Sequence, residues 1–470
     1  MIKHARLVAL LLTLPSCAAV DISDGFDGVA DLVEERSGQR ILWQPSDGQS
    51  ADISATLDGL LARPLTAETA ARVTLLSNPA LRATYAEMGI ARADLAQAGR
   101  LKNPVFDAVF SAPLEGGQID LDLGVAFELL DILYVPLRKR VAEAQFEAAR
   151  VRVAGVVLDR LFAVRTAYLN VLAARQRRDL FEQVAVSTAA SHQVAQALRA
   201  AGNITALDVA RQRVLAEQAA LDLAKARAGE AEAREGLTLA MGLSGARAAA
   251  WTVAGRLPDP PAAPIVADGL EAEALDRSLE LAEARHGLDA LGRRHRVTNA
   301  KALFPEIEAG AVAERDEGAW EVGPAIALPL PLFDQGQARR ARARAEILQA
   351  QDRGAALMVE IAGQARKARQ RLAVARERVL VLRDTILPVR EQIVDETLKQ
   401  YNAMQVGVFD LLFARQQQIA TADRYIAALA DYWRARAHID QLRAGRIPAG
   451  AGTARLTAIA MDPSMPAGDH

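Results

Sequence analysis

The chain has 470 residues, a formal net charge of -2 and 51% hydrophobic residues, enough for a large core or several domains. Its cations are balanced by acids and interspersed with them, so the concentrated Lys and Arg that phosphate recognition needs is missing and nucleic-acid binding is excluded. Aromatics are only 4% while Ala, Leu, Arg, Glu and Gln dominate, and those residues cost least in a helix, so long helices are the first expectation.

Lys3, His4 and Arg6 precede an apolar run from Leu7 to Leu14 and then small residues, the layout of a secretory signal over residues 1–16. No other segment is apolar enough to cross a bilayer as a helix. Cys17 is the single cysteine, so neither an intrachain disulfide nor a cysteine metal cluster can form. Leu14-Pro15-Ser16-Cys17 resembles a bacterial lipoprotein box, with Pro15 departing from the usual small residue. The resemblance implies a lipidated Cys17; the alternative is ordinary signal cleavage nearby. Residues 17–65 show no periodicity from Asp21 to Arg63 and read as an extended N-terminal periplasmic arm.

From there one unit is written twice, at residues 66–250 and 266–446, separated by a Pro-rich linker at 251–265 and followed by a flexible tail at 447–470. Asn78-Pro79-Ala80-Leu81 corresponds to Ser278-Leu279-Glu280-Leu281, Pro104 to Pro305, and Asp208 to Asp410. Leu257-Pro258-Asp259-Pro260-Pro261-Ala262-Ala263-Pro264 is too Pro-rich for helix or central strand.

Within the first unit, Asn78 is placed to cap a helix with Pro79 at its first position, and Leu81, Tyr85, Met88 and Leu95 recur along one stripe. After the break at Gly99 to Pro104, Ile119, Leu121, Leu123, Val125, Phe127 and Leu129 alternate with Gln118, Asp120, Asp122, Gly124, Ala126 and Glu128, the period of a strand with one oily and one polar face. The stretch before it, with Phe106 and Phe110 on one side and Asp107 on the other, pairs with it across Pro113 to Gly117 as a hairpin. The second unit repeats the hairpin. Ile307, Ala309, Ala311 and Ala313 alternate with Glu306, Glu308 and Glu314, and Trp320, Val322, Ile326 and Leu328 alternate with Glu321 and small residues, around a turn at Arg315 to Gly318.

Each hairpin leads into a long helical pattern. Leu137 to Ala201 contains no proline and would reach on the order of 100 Å. It reverses at Gly202-Asn203-Ile204, and Thr205 to Met241 returns. In the second unit Ala338 to Asn402, with a kink expected at Pro388, is answered by Val408 to Ala444. Four strands cannot close a barrel, and an open sheet with an apolar face leaves unsatisfied edges in lipid. Three chains supply twelve strands, wide enough to leave a lumen. The charged helices cannot enter lipid, so they continue below the barrel. If the oily faces meet lipid, then Asp107, Asp120, Asp122, Glu128, Glu306, Glu308, Glu314 and Glu321 face the lumen, with no Lys or Arg on that strand face. A porin interior is polar in any case, but a single sign favours cations over anions.

The order of elements, the duplication, Asn78-Pro79-x-Leu81, Leu328-Pro329-Leu330-Pro331-Leu332-Phe333-Asp334-Gln335-Gly336 before an Ala/Arg/Glu helix, and the turn Gly407-x-Phe409-Asp410 together resemble the TolC-like outer-membrane efflux protein family, over Thr66 to Arg446. The resemblance implies an α+β membrane protein, a homotrimer whose twelve-stranded β-barrel, four strands per chain, continues into a long periplasmic α-helical barrel. It implies residence in the outer membrane and docking to a periplasmic adaptor (membrane fusion protein) and an inner-membrane pump of the resistance-nodulation-division class. Within the family, the CzcC-like cation-efflux branch is the expected subclass. An exit duct for type I protein secretion shares this architecture. A periplasmic coiled-coil adaptor leaves the four strands unexplained.

The two helix reversals are the expected docking tips. Thr205 to Asp208 fits a capping box, and Asp410 takes the same place after Gly407, so capping alone accounts for Thr205, Asp208 and Asp410. Ile204, Leu207, Val406 and Phe409 are apolar at a turn far from the strands, and exposed apolar tips fit an adaptor contact. Chemistry has little to stand on. The histidines at 4, 192, 286, 295, 438 and 470 have no ligand spacing, and Gly242-Leu243-Ser244-Gly245 lacks a phosphate-loop lysine and reads as a helix end. No cofactor, metal site or enzymatic activity is expected.

Overall fold

The computed structural model describes residues 21, 23, 25–42, 51–111, 120–265, 267–303, 307–316, 319–329 and 332–448. The signal segment, Cys17, the first hairpin turn with Gln118 and Ile119, Glu306, Glu317 and Gly318 of the second turn, and the tail beyond residue 448 lie outside the described residues. The helices are α1 (Phe26–Ser37), α2 (Ala51–Leu61), α3 (Ala67–Ser77) and α4 (Pro79–Ala98), then, after strands β1 (Val105–Ser111) and β2 (Asp120–Glu128), α5 (Asp131–Ala200) and α6 (Ala206–Met241). The short α7 (Ala246–Ala249) precedes α8 (Leu270–Arg277) and α9 (Leu279–Leu303); strands β3 (Glu308–Asp316) and β4 (Ala319–Ala327) are followed by α10 (Gln337–Val381), α11 (Leu387–Asn402) and α12 (Val408–Arg443).

The chain forms two units, one from Tyr85–Arg150 and Arg285–Gln351 with the N-terminal stretch to Gly28, the other from Val29–Thr84, Val151–Ala284 and Asp352 onward. The first holds the sheet, an antiparallel meander in the order β1-β2-β3-β4. All four of its helical connections leave from one end, because β1 and β3 begin where β2 and β4 finish.

The second unit carries the apolar core, where Trp251 and Tyr432 are fully buried with Leu57, Leu65, Leu237, Met241, Ile361 and Leu429. Ala219, Ala226, Ala365, Ala368, Ala428 and Ala435 on the long helices are buried too. The repeat is visible in the backbone. Asn78 Oδ1 accepts from Ala80 N–H at 2.9 Å, the cap expected from the sequence, and Ser278 Oγ accepts from Leu281 N–H at 3.1 Å, so its repeat counterpart is N-capped as well. Each junction sits against a left-handed glycine at the end of the returning helix. A Cβ on Gly242 (φ 74°) would come 2.7 Å from the Asn78 Cα, and one on Gly445 (φ 85°) would strike the Arg277 carbonyl. Gly242 N–H and Leu243 N–H close on Leu239 and Thr238 carbonyls, so this glycine is the helix end the sequence indicates.

Pro388 acts one turn early. Lacking an N–H, it cannot continue the ladder, and Leu382–Ile386 widens to a π-turn in which Leu387 N–H donates to Leu382 C=O.

The arm is a correction. Instead of extended chain it contains α1 and α2, and Phe26, Val29, Ala30 and Val33 bury one stripe at helical spacing. The linker is irregular as expected but anchored. Trp433 Nε1 donates to Pro258 C=O at 2.8 Å, Arg376 to Ala262 C=O at 2.7 Å, and Leu65 N–H to Thr252 C=O at 2.8 Å.

Candidate functional site

The register sorts the strand side chains, because directly opposed residues share a face. Asp122 opposes Val109 and Glu314, Glu314 opposes Glu321, Glu128 opposes Glu308, and Asp107 opposes Gly124. Asp107, Asp120, Asp122, Glu128, Glu308, Glu314 and Glu321 therefore share one face. Phe106, Phe110, Leu121, Leu123, Val125, Phe127, Trp320, Val322 and Ile326 share the other. Arg315, opposite Leu121 and Trp320, is on the apolar face. Asp122, Glu314 and Glu321 form a row of three neighbouring carboxylates, and like charges so placed repel unless water or counter-ions separate them.

Two features of this face escaped the sequence reading. Lys102 Nζ reaches Glu128 Oε2 at 2.7 Å from the loop before β1, so one acid is neutralised at the rim. Gly124 leaves the space that the Asp107 carboxylate fills, and a Cβ there would collide with it. On the apolar face Phe110 is 72% exposed, Val322 75% and Ile326 75%. So continuous an oily surface requires an apolar neighbour.

At the first tip, Gly202 (φ 80°) ends α5, and Asn203 N–H returns to Leu198 C=O at 2.9 Å. Thr205 then caps α6. Asp208 N–H donates to Thr205 Oγ1 at 3.2 Å, while Thr205 N–H and hydroxyl donate to Asp208 Oδ2 at 3.1 and 2.7 Å. The Thr205 hydroxyl, then its backbone N–H, holds the Asp208 carboxyl below the usual carboxylate range. At the second tip Gly407 has no side chain to give, so half the box remains, Gly407 N–H donating to Asp410 Oδ2 at 3.1 Å. Met404 (φ 58°) takes the left-handed position that Gly202 fills in the first.

The apolar tip residues divide. Leu207 is exposed, but Ile204, Val406 and Phe409 are half-buried, and the Arg211 guanidinium lies over the Phe409 ring at 4.3 Å. Exposure falls instead on Met404 and Phe413, at 94% and 61%. Leu207, Val214 and Leu221 are also exposed, at seven-residue spacing along one line of α6, the spacing of one position of a heptad repeat. Among the described residues no group of three or more potential ligands gathers to hold a metal, and no helix is long and apolar enough to cross a membrane.

Comparison with known proteins places this geometry. The family model for outer membrane efflux proteins matches residues 71–243. The cobalt-zinc-cadmium resistance protein CzcC of Cupriavidus metallidurans is 28% identical over 392 residues, covering 81% of this chain and 90% of that protein. Two solved structures share the fold. CusC, whose structures concern transmembrane channel formation, superposes with a TM-score of 0.66 at 16% identity, covering 81% of this chain and 92% of that one. The CmeC outer membrane channel of Campylobacter jejuni gives 0.68 at 14% identity, covering 89% and 92%.

Proposed function

We propose that the chain, whose residues 71–243 match the outer membrane efflux protein family and which is 28% identical to CzcC, is the outer-membrane channel of a tripartite efflux system. Three copies build a passive exit duct for small solutes delivered by a periplasmic adaptor and an inner-membrane pump of the resistance-nodulation-division class. The observation that carries this reading is the two-faced sheet, apolar across one side and acidic across the other. Among the described residues its edges β1 and β4 have no partner strand, and edges in lipid must be paired. Twelve strands from three chains pair every edge and turn the acids toward water, where carboxylates cost least.

The exposed line of Leu207, Val214 and Leu221 supports the same assembly in the helices. Metal cations are the favoured substrate class: the acidic face suits them, and the relative CzcC is a cobalt-zinc-cadmium resistance protein. The tips, with exposed Leu207, Met404 and Phe413 and the capping acids Asp208 and Asp410, are the adaptor-docking surface. A lipidated Cys17 adds an anchor. The test is gene deletion with complementation. Loss of resistance to zinc, cobalt and cadmium, restored by the wild-type gene, is expected; unchanged metal resistance with lost export of a protein substrate overturns the efflux reading.

A further inference from the structure

The end of the sheet from which all four helical connections leave carries an unusual charge. Beyond the last strand residues, the oily face continues into exposed Leu129, Ile132 and Leu133 on one side and Leu328, Leu332 and Phe333 on the other. Cations follow within about 15 Å of helix. They are Lys139 and Arg140 near the start of α5, Arg294 and Arg296 near the end of α9, and Arg340 and Arg344 at the start of α10. All but the half-buried Arg340 are exposed. Three of the nearby acids are already engaged, since Asp131 binds Arg138, Asp289 pairs with Arg293 at 2.8 Å, and Asp334 with Arg339 at 3.2 Å; Glu143, a single carboxylate one turn beyond Lys139 and Arg140, leaves the group net positive. The six cations have no ion pair among the described residues.

Solvation of a surface helix does not account for the placement on α10. The first turn of that helix contains no acid, and Arg340 stands where the helix dipole is positive, which disfavours a cation. Charge of one sign, beside a helix start that repels it and contiguous with an apolar surface, calls for an external anion at the edge of hydrocarbon. Phospholipid phosphates lie at that depth, and the attraction of a basic segment for an anionic surface acts within a Debye length.

We propose that Lys139, Arg140, Arg294, Arg296, Arg340 and Arg344 form a collar that binds anionic phospholipid headgroups of the membrane leaflet facing the helices. The inference rests on the channel reading, which sets the sheet in a bilayer. The collar then fixes the depth of the barrel, with the apolar corner residues in the hydrocarbon boundary and the cations in the headgroup layer.

The test uses the full-length protein reconstituted into nanodiscs of phosphatidylethanolamine mixed with phosphatidylglycerol, followed by quantification of the lipid retained after re-extraction in mild detergent. Enrichment of phosphatidylglycerol by at least about threefold is expected, abolished at 1 M salt. The combined variant Lys139→Gln, Arg140→Gln, Arg340→Gln and Arg344→Gln should lose it, while neutralising Arg213, Lys225, Lys367 and Arg415 should not. Wild-type protein that inserts but retains both lipids equally overturns the collar and leaves the channel reading intact; failure to insert overturns the channel reading itself. Displacement of the retained lipid by millimolar inorganic phosphate would show a site for free phosphate and also overturn the proposal. Should the fourfold variant not assemble, the wild-type enrichment and its loss in salt decide the question.

Discussion

The Arg211 guanidinium stacks 4.3 Å from the centre of the Phe409 ring, joining the two helix reversals of the second unit across 198 residues of sequence. The contact covers the aromatic residue that the sequence presents as a bare tip, and it lies next to the Thr205–Asp208 capping box.

A double-mutant cycle measures this contact. At an exposed site a cation over an aromatic face is worth about 0.5–1 kcal/mol. Arg211→Ala and Phe409→Ala should therefore couple by that amount in local opening free energies from amide exchange at the tips. Strict additivity would show that the stacking carries no energy.

The capping box sets a pH dependence. The folded Asp208 carboxyl is held below its unfolded value, chiefly by the Thr205 hydroxyl. Its contribution is therefore full above the unfolded value of about 4 and disappears as pH falls through the lower folded value. After correction for intrinsic rates, amide exchange around Thr205–Asp208 should be flat from pH 7 to 5 and accelerate below pH 4. Asp208→Asn should remove the acid-side change, and an unaltered profile in that variant would refute the assignment.

At the second tip Met404 holds a left-handed conformation that costs an L-residue roughly 1 kcal/mol. Met404→Gly should slow exchange of the Gln405 N–H, which donates to Gln400 C=O at 2.9 Å, whereas Met404→Ala should not. Equal slowing in both would mean that the exposed thioether, and not the backbone, limits this turn.

The largest stability effect is expected at Arg446, whose side chain is only 13% exposed. It donates to Asp159 Oδ1 at 3.0 Å and pairs with Glu280 at 3.1 Å, above Gly155, where a Cβ would crowd the guanidinium. Removing one partner of such a pair leaves a buried charge and costs about 3–5 kcal/mol. Arg446→Ala should lower the thermal midpoint of the purified protein, and Arg446→Met with Asp159→Leu should recover much of the loss. A midpoint unchanged in the single variant would contradict the burial seen here.

The strands were legible because a period of two survives over seven to nine residues, and the face assignment of Asp122 and Glu314 followed from the same alternation. The long helices were legible from the absence of breakers. Helix α1 was not, although Phe26, Val29, Ala30 and Val33 carry its stripe, because Gly28 and a polar flank dilute a pattern only 12 residues long. Long-range contacts were also beyond reach. The stacking on Phe409 depends on Arg211, the neutralisation of Glu128 on Lys102, and the knot at Arg446 on Asp159, and no local pattern encodes any of these pairs.

Whether the acidic face of the sheet lines a water-filled pore, as proposed, is decided by one electrical measurement. In a planar bilayer with a potassium chloride gradient, an open form of the reconstituted protein should give a reversal potential of cation-selective sign. That preference should shrink as salt rises and the Debye length falls below about 10 Å. Changing Asp120, Asp122, Glu306 and Glu308 to their amides should reduce the preference without loss of the trimer. An anion-selective channel, or a preference untouched by these substitutions but altered by Leu121→Asn, would show that the two faces of the sheet are turned the other way.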